Sequence, residues 1–416
     1  MRILLLGLNY APELTGIGKY SGEMMEWLAE RGHEIRVVTT PPYYPAWKVR
    51  QDYHWWQYRR ETSPAGAKIY RCPIWVPRKP SGVSRVIHLG SFAMSSLPVA
   101  LAMTAWRPEV VITVEPTFFN APVALATAAL ARAASWIHIQ DFEIDAAFDL
   151  GLLPREGVVH NLALAAERAI MGRFRHLSSI SGNMVKRIAA KGVDASKAVL
   201  FPNWVDVDAV RPMNGRNSFR EELGIGEHQV VLLYSGNMGF KQDLEILPRL
   251  AREYASRPGA HFIFCGEGAF RPQMEEMTRG LGNVSLLPLQ PADRLNELLN
   301  AADIHLLPQY GNAADLVMPS KLTGMLASGR PVIATVNPGT QVANVIENCG
   351  IAVTPGDLGA LCHAVDRLAA DPDLRQRLGR AARSFAEKNL GRDEVLRRFE
   401  AEMLSLLNGS REYSLT

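Results

Sequence analysis

The feature that most constrains this chain is a rhythm that runs through it twice. Short Val, Ile and Leu runs alternate with amphipathic stretches: RILLLGL, EMMEWLAERG and HEIRVVTT, then EVVITVE, ALATAALARAA and SWIHIQD. Strands with almost no polar alternation are buried on both faces, which implies a parallel sheet wrapped by helices. After Pro212 and a helical patch at 219–223 the rhythm restarts with VVLLYSG, LEILPRLAREYA, HFIFCGEG, NVSLLPL, LNELLNAAD, IHLLPQ and RPVIAT. Two doubly wound α/β modules in succession are therefore expected, and 416 residues with 47% hydrophobic content suffice for two cores.

The linker falls at 201–212, FPNWVDVDAVRP, which is Pro-flanked, weakly periodic and lies between two complete strand-helix series. This gives an N-terminal domain at 1–205, a second at 206–392, and a C-terminal helix at 393–416 that packs back on the first. Disordered and fibrous classes fail on composition. A net charge of +3 gives no overall polyanion-binding character, so no nucleic acid partner is expected. Cys72, Cys265, Cys349 and Cys362 are far apart with no CxxC pair, which fits neither a zinc site nor a disulfide framework and suits a reducing cytosol. The apolar run at 3–8 is too short for a secretory signal and reads as a first buried strand. The uncharged stretch at 89–106 contains Pro98 and several hydroxyl residues, and reads as a buried or interfacial helix rather than a membrane span.

Six segments carry a resemblance: NYAPELTGIGKYSGEMMEWLAERGHEIRVVT, WIHIQDFEIDAAFDLGLL, YSGNMGFKQDLEIL, FCGEGAFRPQMEE, NVSLLPLQPADRLNELLNAADIHLLPQ and MPSKLTGMLASGRPVIAT. In this order they resemble the retaining glycosyltransferases of the GT-B fold, family four. Within that family they resemble the colanic acid biosynthesis fucosyltransferases of exopolysaccharide operons. The resemblance covers nearly the whole chain and implies two Rossmann-like domains facing a central cleft. The acceptor would bind the first and a nucleotide-sugar donor the second.

Individual residues carry parts of that chemistry. Thr15, Gly16, Ile17 and Gly18 follow the first strand and open a helix, so backbone amides can approach an anionic group. In similar enzymes this loop faces the donor phosphates or the acceptor, although an ordinary glycine turn has the same sequence. The GIG lacks GxGxxG spacing, and the second strand, VVTTPPYYP, has no acid for a ribose, which disfavours a dinucleotide-dependent dehydrogenase. In the second domain Gly236, Asn237 and Gly239 end a strand and Lys241 opens the next helix, placing a cation and amides beside a diphosphate. Relatives often have arginine at the Asn237 position.

Ser320 and Lys321 stand before another helix and offer a hydroxyl and a second diphosphate cation. The family's paired glutamates would fall at Val317 and Gly324, so both acids are missing, with Asp315 a candidate substitute. Gly266 and Gly268 form either a tight turn or part of the donor lining, while Leu287, Pro288 and Leu289 could present backbone groups to the base. Asp141 and Glu143 lie at a strand's C-terminal edge, where ligands bind in open α/β sheets and where relatives place a residue near the reacting sugar. Helix capping is the alternative for Asp141 and Asp145, and alternation puts His138 in the core. The catalytic set expected is thus Asp141, Glu143, Lys241 and Lys321.

Between Trp47 and Arg85 the chain mixes Trp47, Tyr53, Trp55, Trp56 and Tyr58 with Lys48, Arg50, Arg59, Arg60, Arg78 and Lys79, and holds few acids. That mixture suits an anionic bilayer surface and, with the apolar 89–106 stretch, a lipid-linked glycan acceptor on the inner face of the cytoplasmic membrane. A solvated loop beside a buried helix has the same composition. The expectation is a cytoplasmic, peripheral transferase that needs no cofactor and no metal, because lysines and helix amides neutralise the leaving diphosphate. GDP-L-fucose is the donor the resemblance favours, and retention follows from it. Competing readings are a UDP-sugar 2-epimerase of the same architecture and a non-catalytic membrane-associated scaffold.

Overall fold

In the first half, the apolar runs become β1 (Arg2–Leu6), β2 (Glu34–Thr39), β5 (Val110–Glu115) and β6 (Ala134–Ile139), and segments not read as strands add β3 (Arg59–Thr62), β4 (Lys68–Arg71), β7 (His176–Ser179) and β8 (Ala198–Leu200). They form one sheet in the order β3-β4-β2-β1-β5-β6-β7-β8. β5 and β6 are buried at every position, as unalternated strands must be when helices cover both faces. The computed structural model describes residues 1–13, 16–78, 82–115, 118–149, 156–213, 215–239, 242–257, 259–311 and 318–412. The chain divides into a unit of Met1–Pro202 with Leu396–Thr416 and a unit of Asn203–Val395.

One strand departs from the all-parallel expectation. β3 pairs antiparallel with β4, and its sequence, RRET, is too polar to read as a strand. Its position explains this, since an exposed edge strand is best left charged to discourage further pairing. The hairpin is tied down by Arg71, which is buried: its Nε reaches Glu61 at 2.7 Å, and its Nη atoms donate to Thr40 and Ala11 carbonyls at 2.8 and 2.7 Å. The C-terminal helix Arg392–Glu412 contributes Phe399 to the first unit, stacked on Phe201 at 4.0 Å and edge-on to Trp136 at 4.9 Å. The next residue, Glu400, ion-pairs with Arg31 at 2.8 Å and lies 2.7 Å from His33.

The second unit has β9 (Val230–Ser235), β10 (Ala260–Cys265), β11 (Val284–Leu287), β12 (Ile304–Pro308), β13 (Val332–Thr335) and β14 (Gly350–Val353). They form a wholly parallel sheet in the order β11-β10-β9-β12-β13-β14. The order reverses direction between β9 and β12, and the crevice past the C-terminal ends of such strands is where open α/β sheets take ligands. Two apolar clusters lie on the sheet's two faces, around Leu233, Leu307 and Met325 and around Phe262, Phe264 and Leu306.

Candidate functional site

Past the C-terminal ends of β9, β10 and β12, the second unit brings most of the expected donor residues together. Gly236 follows β9 with φ +137° and Gly266 follows β10 with φ +152°, values that favour glycine. A Cβ on Gly266 would lie 1.9 Å from the Gly236 carbonyl oxygen, and one on Gly268 would lie 2.4 Å from that of Met238. The GEG turn therefore serves as the platform under the Gly236–Gly239 loop. Backbone bonds lock the two together: Gly236 N–H donates to Cys265 O at 3.0 Å and Met238 N–H to Glu267 O at 2.8 Å. Those two amides are consequently committed and cannot serve an anion. Arg271 braces the platform from below, donating to the carbonyls of Gly266 and Leu287 at 2.6 and 2.8 Å. Pro288 accepts from Gln290 and Cys265, while Leu289 is exposed at the rim.

Lys321 lies over this loop. The helix Ser320–Ala327 begins one residue before it, after Pro319. A Cβ at Gly236 would be 3.7 Å from its Nζ, ordinary van der Waals contact, so the ammonium lies directly against the glycine. The ammonium donates to Gln242 Oε1 at 2.5 Å and to Tyr234 OH at 3.2 Å, and it stands 4.4 Å from the centre of the Tyr234 ring. Burial lowers its pKa to about 7. None of these neighbours is a carboxylate, so an anion arriving at Gly236 would meet a desolvated cation with no counter-charge among the described residues. Asn237 is exposed, with its amide nitrogen 3.2 Å from where a Gly239 Cβ would stand. Thr15 and Lys241 lie outside the described residues, as do Asp315 and Val317. The helix expected to open at Lys241 begins at Ile246, because the loop spends its residues on the turn that positions Gln242 and buries Leu244.

The first unit gathers acids at the equivalent edge. Asp141 lies just beyond β6, and Glu143 opens the helix Glu143–Asp149. Glu143 Oε2 accepts the Phe118 N–H at 2.9 Å, and burial raises its pKa. Asp145 is tied into a structural network, since Lys191 reaches both Asp145 and Glu167 at 2.6 and 2.5 Å. His138 is buried in the core with Nδ1 2.9 Å from Ser178 Oγ. Gly16 has φ +59° and starts the helix Gly16–Glu30, with Ile17 partly covered behind it. Gly18 has a different reason for being glycine: a Cβ there would lie 2.6 Å from Glu13 Oε2. The anionic group beside this helix start is thus the protein's own buried carboxyl, which accepts from the amides of Tyr43 and Tyr44 at 3.0 and 2.9 Å.

Several neighbours escaped the sequence reading. Glu115 ends β5 fully buried, and its Oε1 has no hydrogen-bond partner among the described residues; neither polar atom of buried Asn120 has one. Burial, with Glu143, Glu167 and Asp141 nearby, raises Glu115 well above the usual carboxylate range. The signal was available, because Glu115 closes an apolar strand just as Asp141 follows one. Tyr234 and Gln242 had no comparable signal.

On the outer side of the first unit, the helix Gly82–Ala102 buries Phe92, Ser96 and Ala100 and turns an apolar stripe to solvent. Val83 is 75% exposed and Met94 78%, with Val86, Ile87 and Leu97 on the same face. Exposed Trp55, Trp56, Tyr58 and Trp75 belong to the adjoining segment, which is attached to the helix by Tyr58 OH donating to Ser95 O at 3.0 Å and Trp75 N–H to Ser91 Oγ at 3.0 Å. Exposed Arg59, Arg60 and Arg78 lie in the same segment.

Two successive α/β units of this build, one with a glycine-and-lysine edge, match known glycosyltransferases. Residues 15–204 match the glycosyl transferase 4-like domain, and residues 215–385 match the glycosyl transferases group 1 domain. The chain belongs to the group 1 glycosyltransferases of the GT-B fold. It is 40% identical over 408 residues to a putative colanic acid biosynthesis glycosyl transferase of Escherichia coli K12, covering 96% of this chain and 98% of that one. Among solved structures, a sucrose-phosphate synthase from Thermosynechococcus elongatus aligns with TM-score 0.72 at 17% identity, over 98% of this chain and 100% of that one. HepE from Anabaena, in complex with UDP, aligns with TM-score 0.65 at 14% identity, over 97% and 100%.

Proposed function

We propose that this glycosyltransferase moves L-fucose from GDP-fucose, with retention, onto a lipid-linked oligosaccharide during synthesis of a colanic acid-like exopolysaccharide. The observation that carries the donor half is Lys321 lodged over Gly236 with no carboxylate among its contacts in the described residues. A nucleoside diphosphate leaving group develops negative charge as the glycosidic bond breaks, and a preorganised, partly desolvated ammonium stabilises that charge without metal. Ser320 and the helix amides behind it add donors, and Lys241 is the second cation that the family resemblance supplies. Full-length similarity to the Escherichia coli protein supports the exopolysaccharide assignment.

On the acceptor side, Asp141 and Glu143 stand at the first unit's strand ends, with Glu143 held by the Phe118 amide. Glu143 is suited to accept or return a proton at an acceptor hydroxyl, because burial raises its pKa above the usual carboxylate range. The apolar stripe of Gly82–Ala102, with its tryptophans and arginines, supports peripheral attachment to the inner face of the cytoplasmic membrane, where a lipid-linked acceptor is found.

A thermal-shift screen of GDP, UDP and their sugars tests the donor, since a ligand bound only by the native state raises the melting point. Stabilisation by GDP and GDP-fucose above all others is expected. Preference for UDP-sugars would replace the donor assignment. Conversion of UDP-N-acetylglucosamine with no acceptor present would replace transfer by epimerisation.

A further inference from the structure

The second unit has a concave feature at the opposite edge of its sheet from Lys321. It is a pocket of about 450 Å³ lined by Asp303, Arg330, Arg375, Gln376, Arg380 and Arg383, where the turn before β13 meets the helix Pro372–Asn389. The approach is tight, since a Cβ on Gly379 would lie 2.2 Å from the Gly329 carbonyl oxygen. Arg375, Gly379 and Arg383 are spaced four apart, so both arginines leave the helix on the face turned to that contact.

The charges in this pocket do not cancel. Arg383 pairs with Glu387 at 2.6 Å and donates to the carbonyls of Val207, Val210 and Ala327. Asp303 pairs with Arg220 at 2.7 Å. Among the described residues, Arg330, Arg375 and Arg380 pair with no carboxylate. Arg375 only caps the neutral carbonyls of Leu368 and Ala369. Arg330 donates Nη2 to Met213 O at 3.1 Å, while its Nε is buried with no partner. Burial lowers the Arg330 pKa; nearby Asp303 opposes the shift and Arg220 adds to it. Carbonyl capping alone would explain Arg375 and Arg383, but it leaves the unpaired Nε of Arg330 and the free, exposed Arg380 without a purpose.

We propose that this pocket binds a small soluble phosphate-type anion, inorganic or esterified, at a site separate from that of sugar transfer. Three uncompensated guanidiniums around one concavity match the forked, multiply charged oxygens of phosphate. The proposal is independent of the donor reading, because the two sites occupy opposite edges of the sheet.

Pyrophosphate is the probe, measured by thermal shift on the full chain against sodium chloride at equal ionic strength. In Lys321→Ala, where the donor edge has lost its ammonium, a rise of about 2–4 °C at roughly millimolar pyrophosphate is expected. That rise should vanish when Arg380→Glu or Gln376→Glu is added to Lys321→Ala, two exposed positions whose substitution leaves the core untouched. A rise present in wild type but lost in Lys321→Ala would assign the ion to the donor site and overturn the proposal, as would one in Lys321→Ala that survives both added substitutions. So would an equal rise with chloride, or none at all. Sedimentation with phosphatidylglycerol vesicles should be the same for Arg380→Glu and wild type; loss of sedimentation would make the ligand a lipid headgroup instead.

Discussion

Past β5 and β6 the first unit collects carboxyls, Glu115, Asp141 and Glu143, with Glu13 enclosed beside Gly18. Past β9 and β12 the second unit collects glycine backbone and a single described ammonium, Lys321. Both edges are made the same way, by ending a buried parallel strand in a turn, so the backbone alone does not separate their tasks. Chemistry does. A diphosphate would be repelled by the first edge and held by the second, whereas neutral sugar hydroxyls suit carboxyls that can accept or return a proton.

The largest break in this comparison should come from Lys321→Ala. Loss of one preorganised charge donor is expected to slow transfer about 10²–10³-fold, read from initial rates with saturating acceptor. Gly266→Ala attacks the same edge through its platform. Its Cβ would collide with the Gly236 carbonyl, and a loss of about 2–3 kcal/mol in denaturant unfolding is expected, together with weaker nucleotide binding. Gly32→Ala is the control, because it has a positive φ but nothing within 4 Å, and should cost about 1 kcal/mol without touching nucleotide affinity.

Glu143→Gln sharpens the division of labour. Transfer should fall about 10–100-fold with nucleotide affinity unchanged, since that residue belongs to the other edge. Equal losses in affinity and transfer would erase the distinction. The depressed pKa of Lys321 adds a pH signature. With the free-protein value at about 7, diphosphate binding must take up a proton above neutrality, so affinity should fall about tenfold per pH unit from pH 7.5 to 9. Lys321→Arg should flatten that slope. Stability moves the opposite way: the unfolded lysine stays protonated while the folded one does not, so this residue's contribution rises with pH over the same window. The smallest effect concerns the outer surface, where Ile87→Asp with Met94→Asp should reduce vesicle sedimentation about tenfold and leave the melting point in place.

The central strands of both sheets were legible in the sequence, because unalternated runs such as VVITVE and HFIFC suit strands covered on both faces, whereas β4, β7, β8 and β14 were not read. The start of the Ser320 helix was legible too, from the Pro-Ser-Lys sequence before an apolar run. What stayed hidden depends on distance in space. RRET has no strand signature, and it becomes an edge only because Arg71 is secured by Glu61, Thr40 and Ala11. The reason for Gly18 lies in a carboxyl five residues earlier that folds back against it. Tyr234 and Gln242 read as strand and loop residues until the structure sets both against Lys321.

The most direct test is calorimetric titration of GDP and UDP into wild type and Lys321→Ala at pH 7. Wild type should bind GDP the more tightly, and the substitution should weaken that binding by about 30-fold or more while Glu143→Gln leaves it alone. Equal affinity in wild type and Lys321→Ala would contradict the assignment of the diphosphate to the Gly236 loop.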